Sequence, residues 1–483
     1  MSFVDYDEFK GMIDNPEPQV EYPSTVVTGS SSGDKYVVVL VGLPASGKTY
    51  MTTRLSQYLS FFHGASVKIF NVGNYRRKLC GAKSPASFFD PENVDGVSQR
   101  EKCAQVAMED LKAFITEKDM NDKIGFFAAT NSTLERRKWI LSELTPLMNS
   151  HKIIFVESIV NETTILENNI KETKVRMPDY EGMEEKEAVD DFNNRREHYK
   201  KLYETLTDSV ETGERDLSWI KIVDAGRSVS TNNIHGFLPG KIVQLLMNVH
   251  LSPRPIFMSR HGQSNYNKLG KIGGDSGLTD WGEAYALKLA EFVHVNILDL
   301  NADGSFKDPE KKQAVHARLF TSSLRRTKET SRHIVHHRCD DGWVIMRPKH
   351  LSALDEIFAG VFDGMTYENI QEEAPGEFQK RKEDKLSYRY PRGESYLDVI
   401  QRLDTVVHEI ECQREPVLIV GHQGILRILY AYFTGGSRDD APFISIPLNT
   451  VIEVSPHSYV CDVRRIDLSP PTDSNDDIEP SSH

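Results

Sequence analysis

Three consecutive residues near the middle of the chain, Arg260-His261-Gly262, have side chains suited to chemistry on a phosphate. The guanidinium group of Arg260 offers a planar set of donors that matches phosphoryl oxygens. A neutral nitrogen of His261 can take up a phosphoryl group covalently, and Gly262 lets the backbone come close to a ligand. Because Arg-His-Gly arises often by chance, the flanking sequence decides whether these residues form a site.

The second half of the chain has several predicted strands that end in polar residues. The carboxyl ends of parallel strands meet at one edge of a sheet, where ligands bind in open α/β folds. We therefore expect Arg260 and His261, after the run 255–258, and His422, after the run 417–420, to form one site rather than to be separate core residues. Arg326 follows the strand 318–321, and the carboxylate pair Asp355 and Glu356 lies at a further strand end.

A second motif lies near the amino terminus, where the apolar strand 35–41 runs into a glycine-rich segment and then into a helical pattern through Leu59. The segment 42–49 has the form GxxxxGK[ST], in which backbone amides and a helix amino terminus hold phosphates. Lys48 is placed to reach the β- and γ-phosphates, and the Thr49 hydroxyl to bind Mg²⁺. The motif predicts a nucleotide site.

Strands and helices alternate after both motifs, which predicts an α/β fold with doubly wound parallel sheets. A chain of 483 residues exceeds the size of one core, and a short proline-marked linker follows residue 250. We predict a disordered tail over residues 1–34, a nucleotide-binding domain over 35–249, a second α/β domain over 250–466 and a disordered acidic tail over 467–483.

The net charge of −13 argues against a general nucleic-acid-binding protein. Anionic substrates must therefore be held by local basic clusters, for which the arginines and lysines at strand and helix ends between residues 76 and 196 are candidates. Five scattered cysteines without a CxxC pair are typical of reduced thiols in the cytosol. No signal peptide and no apolar run of ~20 residues is evident, so we expect a cytosolic protein without membrane partners.

Longer strings support a family resemblance. They include Gly42-Leu43-Pro44-Ala45-Ser46-Gly47-Lys48-Thr49-Tyr50, Asn71-Val72-Gly73-Asn74-Tyr75-Arg76-Arg77, Ala129-Thr130-Asn131-Ser132-Thr133, Arg260-His261-Gly262, Tyr388-Arg389-Tyr390-Pro391-Arg392-Gly393-Glu394-Ser395-Tyr396 and Gly421-His422-Gln423. In this order they resemble the bifunctional 6-phosphofructo-2-kinase/fructose-2,6-bisphosphatase family over residues 35–466. The resemblance implies an amino-terminal P-loop kinase domain, a carboxy-terminal histidine phosphatase domain similar to phosphoglycerate mutase, and a homodimer.

For the phosphatase half, the resemblance implies that His261 forms a phosphohistidine and that Glu356 acts as acid and then base. Arg260, Arg326 and His422 would neutralise the transferred phosphoryl group. The positions that match the binding site of fructose 2,6-bisphosphate are Asn267, Gly273, Tyr367, Arg381, Lys385, Tyr396, Gln423 and Arg427.

For the kinase half, the resemblance implies ATP and Mg²⁺ at residues 42–50, with Asn169 and Lys174 beside the nucleotide and Lys48 as a catalytic group. The positions that match the fructose 6-phosphate site are Arg76, Arg100, Thr130, Arg136, Lys174, Arg195 and Tyr199. One departure bears on activity: the strand before Ala129 ends in Ala128, where the family has an aspartate that supports Mg²⁺ and the acceptor hydroxyl. Other departures are Val160, Gln263 and Phe358.

These observations lead us to expect control of the fructose 2,6-bisphosphate level, with hydrolysis intact and the kinase rate cut severely by Ala128. An alternative is a phosphatase whose kinase domain only binds ATP as a regulatory or dimerisation module. A third interpretation, a phosphoglycerate mutase or general histidine phosphatase fused to an unrelated kinase, suits Arg-His-Gly alone and conflicts with the strings of the kinase half.

Overall fold

The computed structural model describes residues 33–470, except residues 83, 119, 120, 177, 250–253, 311 and 457–460, and it leaves the side chains of residues 172–176 and 185 undescribed. The tail predictions for residues 1–32 and 471–483 therefore lie outside the described residues. The predicted linker at 250–253 and the side chain of Lys174 lie outside them as well.

The first half of the chain forms a six-stranded sheet that presents the glycine-rich segment. Its strands are β1 (Lys35–Val41), β2 (Ser66–Asn71), β3 (Lys123–Ala128), β4 (Ile153–Ile159), β5 (Ser218–Val223) and β6 (Ser228–Asn232). They lie in the order β2-β3-β1-β4-β5-β6, and only β6 is antiparallel to its neighbour. Apolar, β-branched strands such as β1 suit a sheet that helices cover on both faces.

Helices connect these strands. They are α1 (Lys48–His63), α2 (Val72–Cys80), α3 (Val94–Thr116), α4 (Leu134–Leu144), α5 (Thr163–Arg176), α6 (Glu185–Lys200) and α7 (Phe237–Asn248), with 3₁₀ turns at Ala86–Phe89, Ser150–Lys152 and Pro178–Tyr180. Glycines with left-handed backbone angles stand at both ends of α1, Gly47 with φ 81° and Gly64 with φ 65°. The tight turn at Gly47 lets the helix begin directly beneath the glycine-rich segment.

The second half forms another six-stranded sheet. Its strands are β7 (Ile256–Arg260), β8 (Arg318–Thr321), β9 (Pro348–His350), β10 (Val417–Gly421), β11 (Thr450–Pro456) and β12 (Cys461–Asp467). They lie in the order β12-β11-β7-β10-β8-β9, where β7, β10, β8 and β9 are parallel and β11 and β12 form an antiparallel edge. Both sheets are thus mainly parallel, with antiparallel strands confined to one edge.

The helices of this half are α8 (Asn265–Lys268), α9 (Asp280–Phe292), α10 (Arg325–Ser331), α11 (Tyr367–Glu373), α12 (Pro375–Glu383), α13 (Tyr396–Glu411) and α14 (Gln423–Thr434). A π-helical turn, Val293–Ile297, extends α9, and 3₁₀ turns lie at Ser352–Leu354, Gly360–Phe362 and Ala441–Phe443. Within the described ranges, no helix combines the length and the apolar composition that crossing a membrane requires.

The sequence predicts that the carboxylate pair Asp355 and Glu356 directly follows a strand, but the structure differs. The strand β9 ends at His350, and the 3₁₀ turn Ser352–Leu354 lies between it and the pair. Asp355 accepts hydrogen bonds from the backbone and hydroxyl of Ser323, both at 2.6 Å, and so ties this turn to the end of β8. The 3₁₀ turn thus places Glu356 near the carboxyl ends of the parallel strands.

The two halves share one apolar core, which includes Leu55 of α1 and Val407 of α13. A buried ion pair between Arg54 and Glu411 lies in this core, with both side chains at most 6% exposed. Burial by itself raises the pKa of Glu411, but the charges of Arg54 and Arg254 outweigh it and hold that pKa below its ordinary value. The pair therefore keeps both charges and fixes α1 against α13.

Replacing Arg54 with alanine is expected to lower the free energy of unfolding by about 3–5 kcal/mol, because Glu411 then keeps its charge in the interior with an incomplete set of partners. Chemical denaturation followed by far-UV circular dichroism measures the change. The control, Lys288→Ala, removes an exposed pair with Glu291 and is expected to cost less than about 1 kcal/mol. Equal small effects of both substitutions would contradict the role of the buried pair.

Candidate active sites

The phosphatase-type site lies where β7 and β10 end side by side. Arg260 and Gly421 are register partners at the last positions of these strands. The residues that follow, His261 and His422, therefore come together, and their ring centroids are 5.2 Å apart. The backbone N–H of His261 donates to the Gly421 carbonyl at 3.0 Å, which locks the two strand ends to each other.

The tautomer of His261 follows from its contacts. Its Nδ1 lies 2.7 Å from the Gly262 carbonyl oxygen, and because a carbonyl only accepts, Nδ1 carries the hydrogen and Nε2 keeps its lone pair. Burial, followed by the positive charges of Arg326 and Arg260, lowers the pKa of His261 well below its ordinary value. The ring is therefore a neutral nucleophile at physiological pH.

His422 is fully buried and fixed on both sides. The Nε–H of Arg326 donates to its Nδ1 at 3.2 Å, so Nε2 carries the hydrogen of the neutral ring and donates to Ser322 Oγ at 2.7 Å. Burial and the Arg326 charge lower the pKa of His422 well below its usual range. Ser322 has no predicted role, although its position immediately after β8 is the same signal that marks the histidines.

Within the part of the chain that the structure describes, Arg260 and Arg326 form no ion pair with a carboxylate. Arg260 donates through Nη1 to the Ile446 carbonyl at 3.0 Å, while its buried Nε has no hydrogen-bond partner among the described residues. Burial lowers the pKa of Arg260 to about 10. Arg326 donates to the Gly274 carbonyl at 2.7 Å. An unpartnered buried donor beside a nucleophile suits an incoming anion.

Glu356 is the carboxylate nearest in effect to these arginines. Its negative charge acts to raise the pKa of Arg260 and of Arg326, against the lowering by burial. Its two oxygens accept from the backbone of Ile357 at 3.0 Å and of Gly424 at 3.3 Å. Gly424 lies in the first turn of α14, and a side chain there would run into Glu356 Oε1. Glycine at this position lets the carboxylate reach the site.

A second basic group lies next to the first. Arg381 donates to the hydroxyls of Tyr367 and Tyr390, both at 2.8 Å, and Arg427 donates to the hydroxyl of Tyr396 at 3.3 Å. Burial and the charges of Arg427 and Arg381 lower the pKa of Lys385 to about 8. The structure thus brings most of the predicted sugar-binding positions together.

Three predicted sugar-binding positions contribute mainly to the local backbone structure. They are Asn267, Gly273 and Gln423. Asn267 completes a capping box with Ser264 at the start of α8. Gly273 has φ 69°, and a Cβ there would lie 1.7 Å from Asp363 Oδ1, so the loop requires glycine. Gln423 is the first residue of α14, directly after His422.

The glycine-rich segment of the first half is closed around Lys48. The Lys48 ammonium donates to the carbonyls of Gly42 at 2.7 Å and Leu43 at 2.6 Å, and to Ser46 Oγ at 3.3 Å. Asn169 donates to the Ala45 carbonyl at 2.8 Å, as predicted for a residue beside this loop. Burial, then the charges of Arg196 and Arg195, lowers the pKa of Lys48 to about 7.

Three arginines surround the ring of Phe89. The guanidinium carbons of Arg195, Arg76 and Arg100 lie 3.7, 5.4 and 6.0 Å from its centroid, and Tyr199 lies 6.1 Å from the same ring. Arg76 also pairs with Asp179 at 2.5 Å. Phe89 was not among the predicted residues, because a phenylalanine in a 3₁₀ turn gives no sequence signal of a platform for cations.

Three other predicted positions of the first half have different surroundings. Arg136 pairs with Glu101 at 2.6 Å and stacks over Trp139. Thr130 follows β3, and its carbonyl accepts from the Gly42 N–H at 2.9 Å. Tyr50 is buried at the domain contact, close enough to influence the pKa of Arg54.

Comparison with known families identifies a family model for each half of the chain. Residues 24–253 match the model of 6-phosphofructo-2-kinase, and residues 256–468 match that of the histidine phosphatase superfamily, branch 1. The 6-phosphofructo-2-kinase/fructose-2,6-bisphosphatase 3 of Rattus norvegicus is 39% identical over 90% of this chain and 72% of its own length. The chain belongs to the 6-phosphofructo-2-kinase/fructose-2,6-bisphosphatase family.

Two further members of this family show the extent of the similarity. The 6-phosphofructo-2-kinase/fructose-2,6-bisphosphatase of Gallus gallus is 39% identical over 90% of this chain and 85% of its own length. The protein of the same name from Arabidopsis thaliana is 44% identical over 86% of this chain. The chain spans about half the length of the Arabidopsis relative, 52%.

The structure places Ala128, the residue expected to affect kinase activity, at the end of a central strand. It is the last residue of β3 and pairs in register with Leu40 of β1 and Asn71 of β2. It is 9% exposed and lies at the sheet edge that carries the P-loop. A methyl group at this edge can neither bind a metal nor accept a proton.

When a nucleotide binds at pH 8, the amine of Lys48 is expected to take up about one proton from solution. Because the pKa of Lys48 is about 7 in the free protein, its amine is mostly neutral at pH 8, and phosphate oxygens then favour the ammonium form. Calorimetric titration with ATP in buffers of different ionisation enthalpy measures this uptake. The Lys48→Met variant supplies the background, and an equal uptake by both proteins would contradict the assignment.

Proposed function

We propose that this family member controls the level of fructose 2,6-bisphosphate, hydrolysing it through a phosphohistidine on His261 and synthesising it from fructose 6-phosphate and ATP at a rate limited by Ala128. The observation that supports the first activity best is the neutral His261 ring, with Nε2 free and two arginines beside it. Such a nucleophile needs no deprotonation before it attacks phosphorus.

In the first step, Nε2 of His261 forms a bond to the phosphorus of the 2-phosphate as the bond from phosphorus to the sugar O2 breaks. Glu356 donates a proton to O2, so that fructose 6-phosphate leaves as a neutral alcohol at that position. In this proposal Arg260, Arg326 and the Nε2–H of His422 donate to the three phosphoryl oxygens, where negative charge develops. For His422 this requires a turn away from Ser322.

In the second step, water attacks the phosphohistidine and the N–P bond breaks, which releases inorganic phosphate and restores the neutral ring. The carboxylate of Glu356 now accepts the proton of the water. The 6-phosphate of the sugar stays at the second basic group, where Arg381, Lys385 and Arg427 offer positive charge. The tyrosines Tyr367 and Tyr396 orient two of these guanidinium groups.

For the kinase half we assign ATP to residues 42–50 and Asn169, and fructose 6-phosphate to the arginines around Phe89, with Thr130, Arg136 and Tyr199 at its margin. Lys174, predicted for both ligands, has no described side chain. Mg²⁺ enters with the nucleotide as part of the substrate, and Thr49 in the first turn of α1 supplies a hydroxyl ligand. Without a carboxylate at Ala128 the metal and the acceptor hydroxyl are less firmly placed, which lowers the rate.

The alternative, a phosphatase whose nucleotide domain only binds ATP, rests on the same Ala128. The family assignment does not favour it, since both catalytic domains are present. A homodimer and a cytosolic location, which the resemblance and the five free thiols suggest, remain predictions.

The Glu356→Gln variant is expected to form phosphoenzyme slowly and to retain it, because its amide can neither give a proton to the leaving O2 nor accept the proton of the attacking water. Turnover should fall about 10²–10³-fold. Rapid-quench mass spectrometry after mixing with fructose 2,6-bisphosphate measures the phosphorylated fraction. The exposed Glu372→Gln serves as control, and His261→Ala should show no phosphoenzyme. Undiminished turnover of Glu356→Gln, or labelling of His261→Ala, would overturn the respective role.

The Ala128→Asp variant is expected to raise the 6-phosphofructo-2-kinase rate about 100-fold, since a carboxylate at the end of β3 supports metal and acceptor together. Coupled assays with Mg-ATP and fructose 6-phosphate measure the rate. Ala128→Asn has the same shape without the charge and should stay near the native rate. A native rate equal to that of Ala128→Asp would mean that another group supplies the missing charge.

A further inference from the structure

Two cysteine sulfurs lie in contact on neighbouring helices of the kinase domain. Cys80 is the last residue of α2 and is exposed, whereas Cys103 on α3 is 1% exposed. Their Sγ atoms are 3.8 Å apart. A disulfide needs a separation of about 2.0 Å, so a shift of under about 2 Å between the helix end and α3 suffices.

The backbone after Cys80 leaves room for this shift. Gly81 has φ 87°, and a Cβ built on it would meet no atom within 4 Å. The helix end therefore borders open space and is not clamped by packing. Cys80 is exposed to a dissolved oxidant, whereas Cys103 is buried with its sulfur against that of Cys80, an arrangement that suits a peroxide-reactive cysteine with a resolving partner.

We propose that Cys80 and Cys103 form a reversible disulfide when the protein meets a peroxide, and that this link weakens binding of the phosphosugar to the kinase domain. The Cys80 thiolate attacks one peroxide oxygen, so that an S–O bond forms, the O–O bond breaks and water leaves after protonation. The sulfur of Cys103 then attacks that of Cys80. The S–S bond forms, the S–O bond breaks, and the hydroxyl leaves as water with the proton of Cys103.

The position of the two sulfurs explains why the link would reach the sugar site. Cys80 follows Arg76 by four residues on α2, and Cys103 follows Arg100 by three on α3, one helical turn in each case. Arg76 and Arg100 are both arranged around Phe89, and Arg76 is also held by Asp179. Drawing the helices together changes the spacing of these two guanidinium groups.

This effect on affinity rests on the proposed fructose 6-phosphate site, whereas the disulfide itself does not. Coupling between two events is reciprocal. If the disulfide weakens phosphosugar binding, then bound phosphosugar must equally disfavour the disulfide. The two directions can be measured independently of kinase turnover, which keeps the rate effect of Ala128 out of the experiment.

The first test treats the reduced full-length chain with hydrogen peroxide and maps its peptides by mass spectrometry without reduction. We expect one linked species joining the peptides of Cys80 and Cys103, which a thiol reductant reverses. Cys80→Ser should yield none. Cys412→Ser should yield the same link as the native chain, since Cys412 is an exposed thiol at the end of another helix. Unlinked thiols, or Cys80 converted to sulfinic acid with Cys103 intact, would overturn the proposal.

The second test measures fructose 6-phosphate affinity by calorimetry before and after oxidation. We expect the Kd to rise about fivefold in the native chain and to stay unchanged in peroxide-treated Cys80→Ser. In a thiol–disulfide redox buffer at equilibrium, saturating fructose 6-phosphate should lower the linked fraction by the same factor. An unchanged Kd in the linked protein would overturn the coupling. Absence of binding by the reduced chain would contradict the proposed sugar site and the coupling together, while the disulfide would stand on the peptide map alone.

Discussion

Buried positive charge is the constraint that organises both halves of this protein. Some buried arginines have a carboxylate partner, as Arg54 has Glu411 and Arg137 has Glu214 at 2.7 Å, and these pairs hold elements together. Among the described residues, Arg260, Arg326 and Arg427 donate to carbonyls, a histidine and a tyrosine, but to no carboxylate. Burying such charges costs free energy, which a phosphate ligand would offset under the proposed function. The contrast separates arginines that serve the fold from those that serve binding.

The same electrostatic setting explains the protonation states of the reacting groups. Burial, together with the neighbouring guanidinium charges, makes an additional positive charge unfavourable, so His261 and His422 stay neutral and the pKa of Lys48 falls to about 7. A neutral histidine is the form that attacks phosphorus. When a phosphate arrives, its negative charge reverses the balance and favours protonated cations around it. The charge in both sites is therefore balanced when an anionic ligand is bound and not when the sites are empty.

One helix joins the two sites through the shared core. The P-loop lies at the amino end of α1, and further along this helix Arg54 and Tyr58 contact α13, where Tyr58 donates to Asp404 at 2.6 Å. The helix α13 begins at Tyr396 and α14 at Gln423, both in the phosphatase site. The nucleotide-binding helix thus packs on the helices whose amino ends line the other site.

Sequence patterns could predict the elements that carry the chemistry but not all of their contacts. Parallel strands ending in polar residues placed His261 and His422 together, since strand ends meet at one sheet edge. Glu356 was predicted at a strand end, and a 3₁₀ turn instead brings it to the site. Phe89 and Ser322 could not be found in this way, because their importance depends on partners more than 90 residues away or on several converging side chains.

The two sites also differ in how far one residue can change them. In the phosphatase half, the proposed nucleophile, acid and cations all belong to the protein, and backbone groups hold His261, Arg260 and Glu356 in place. In the proposed kinase reaction, the charges that stabilise phosphoryl transfer come partly with Mg-ATP, and the protein has to place the metal relative to the acceptor. Ala128 stands where strands β1, β2 and β3 end together, and under the proposed function a methyl group there bears on the placement of metal and acceptor. The proposed phosphatase site lies on the other sheet and does not include this side chain, so the proposal confines the effect of Ala128 to the kinase reaction.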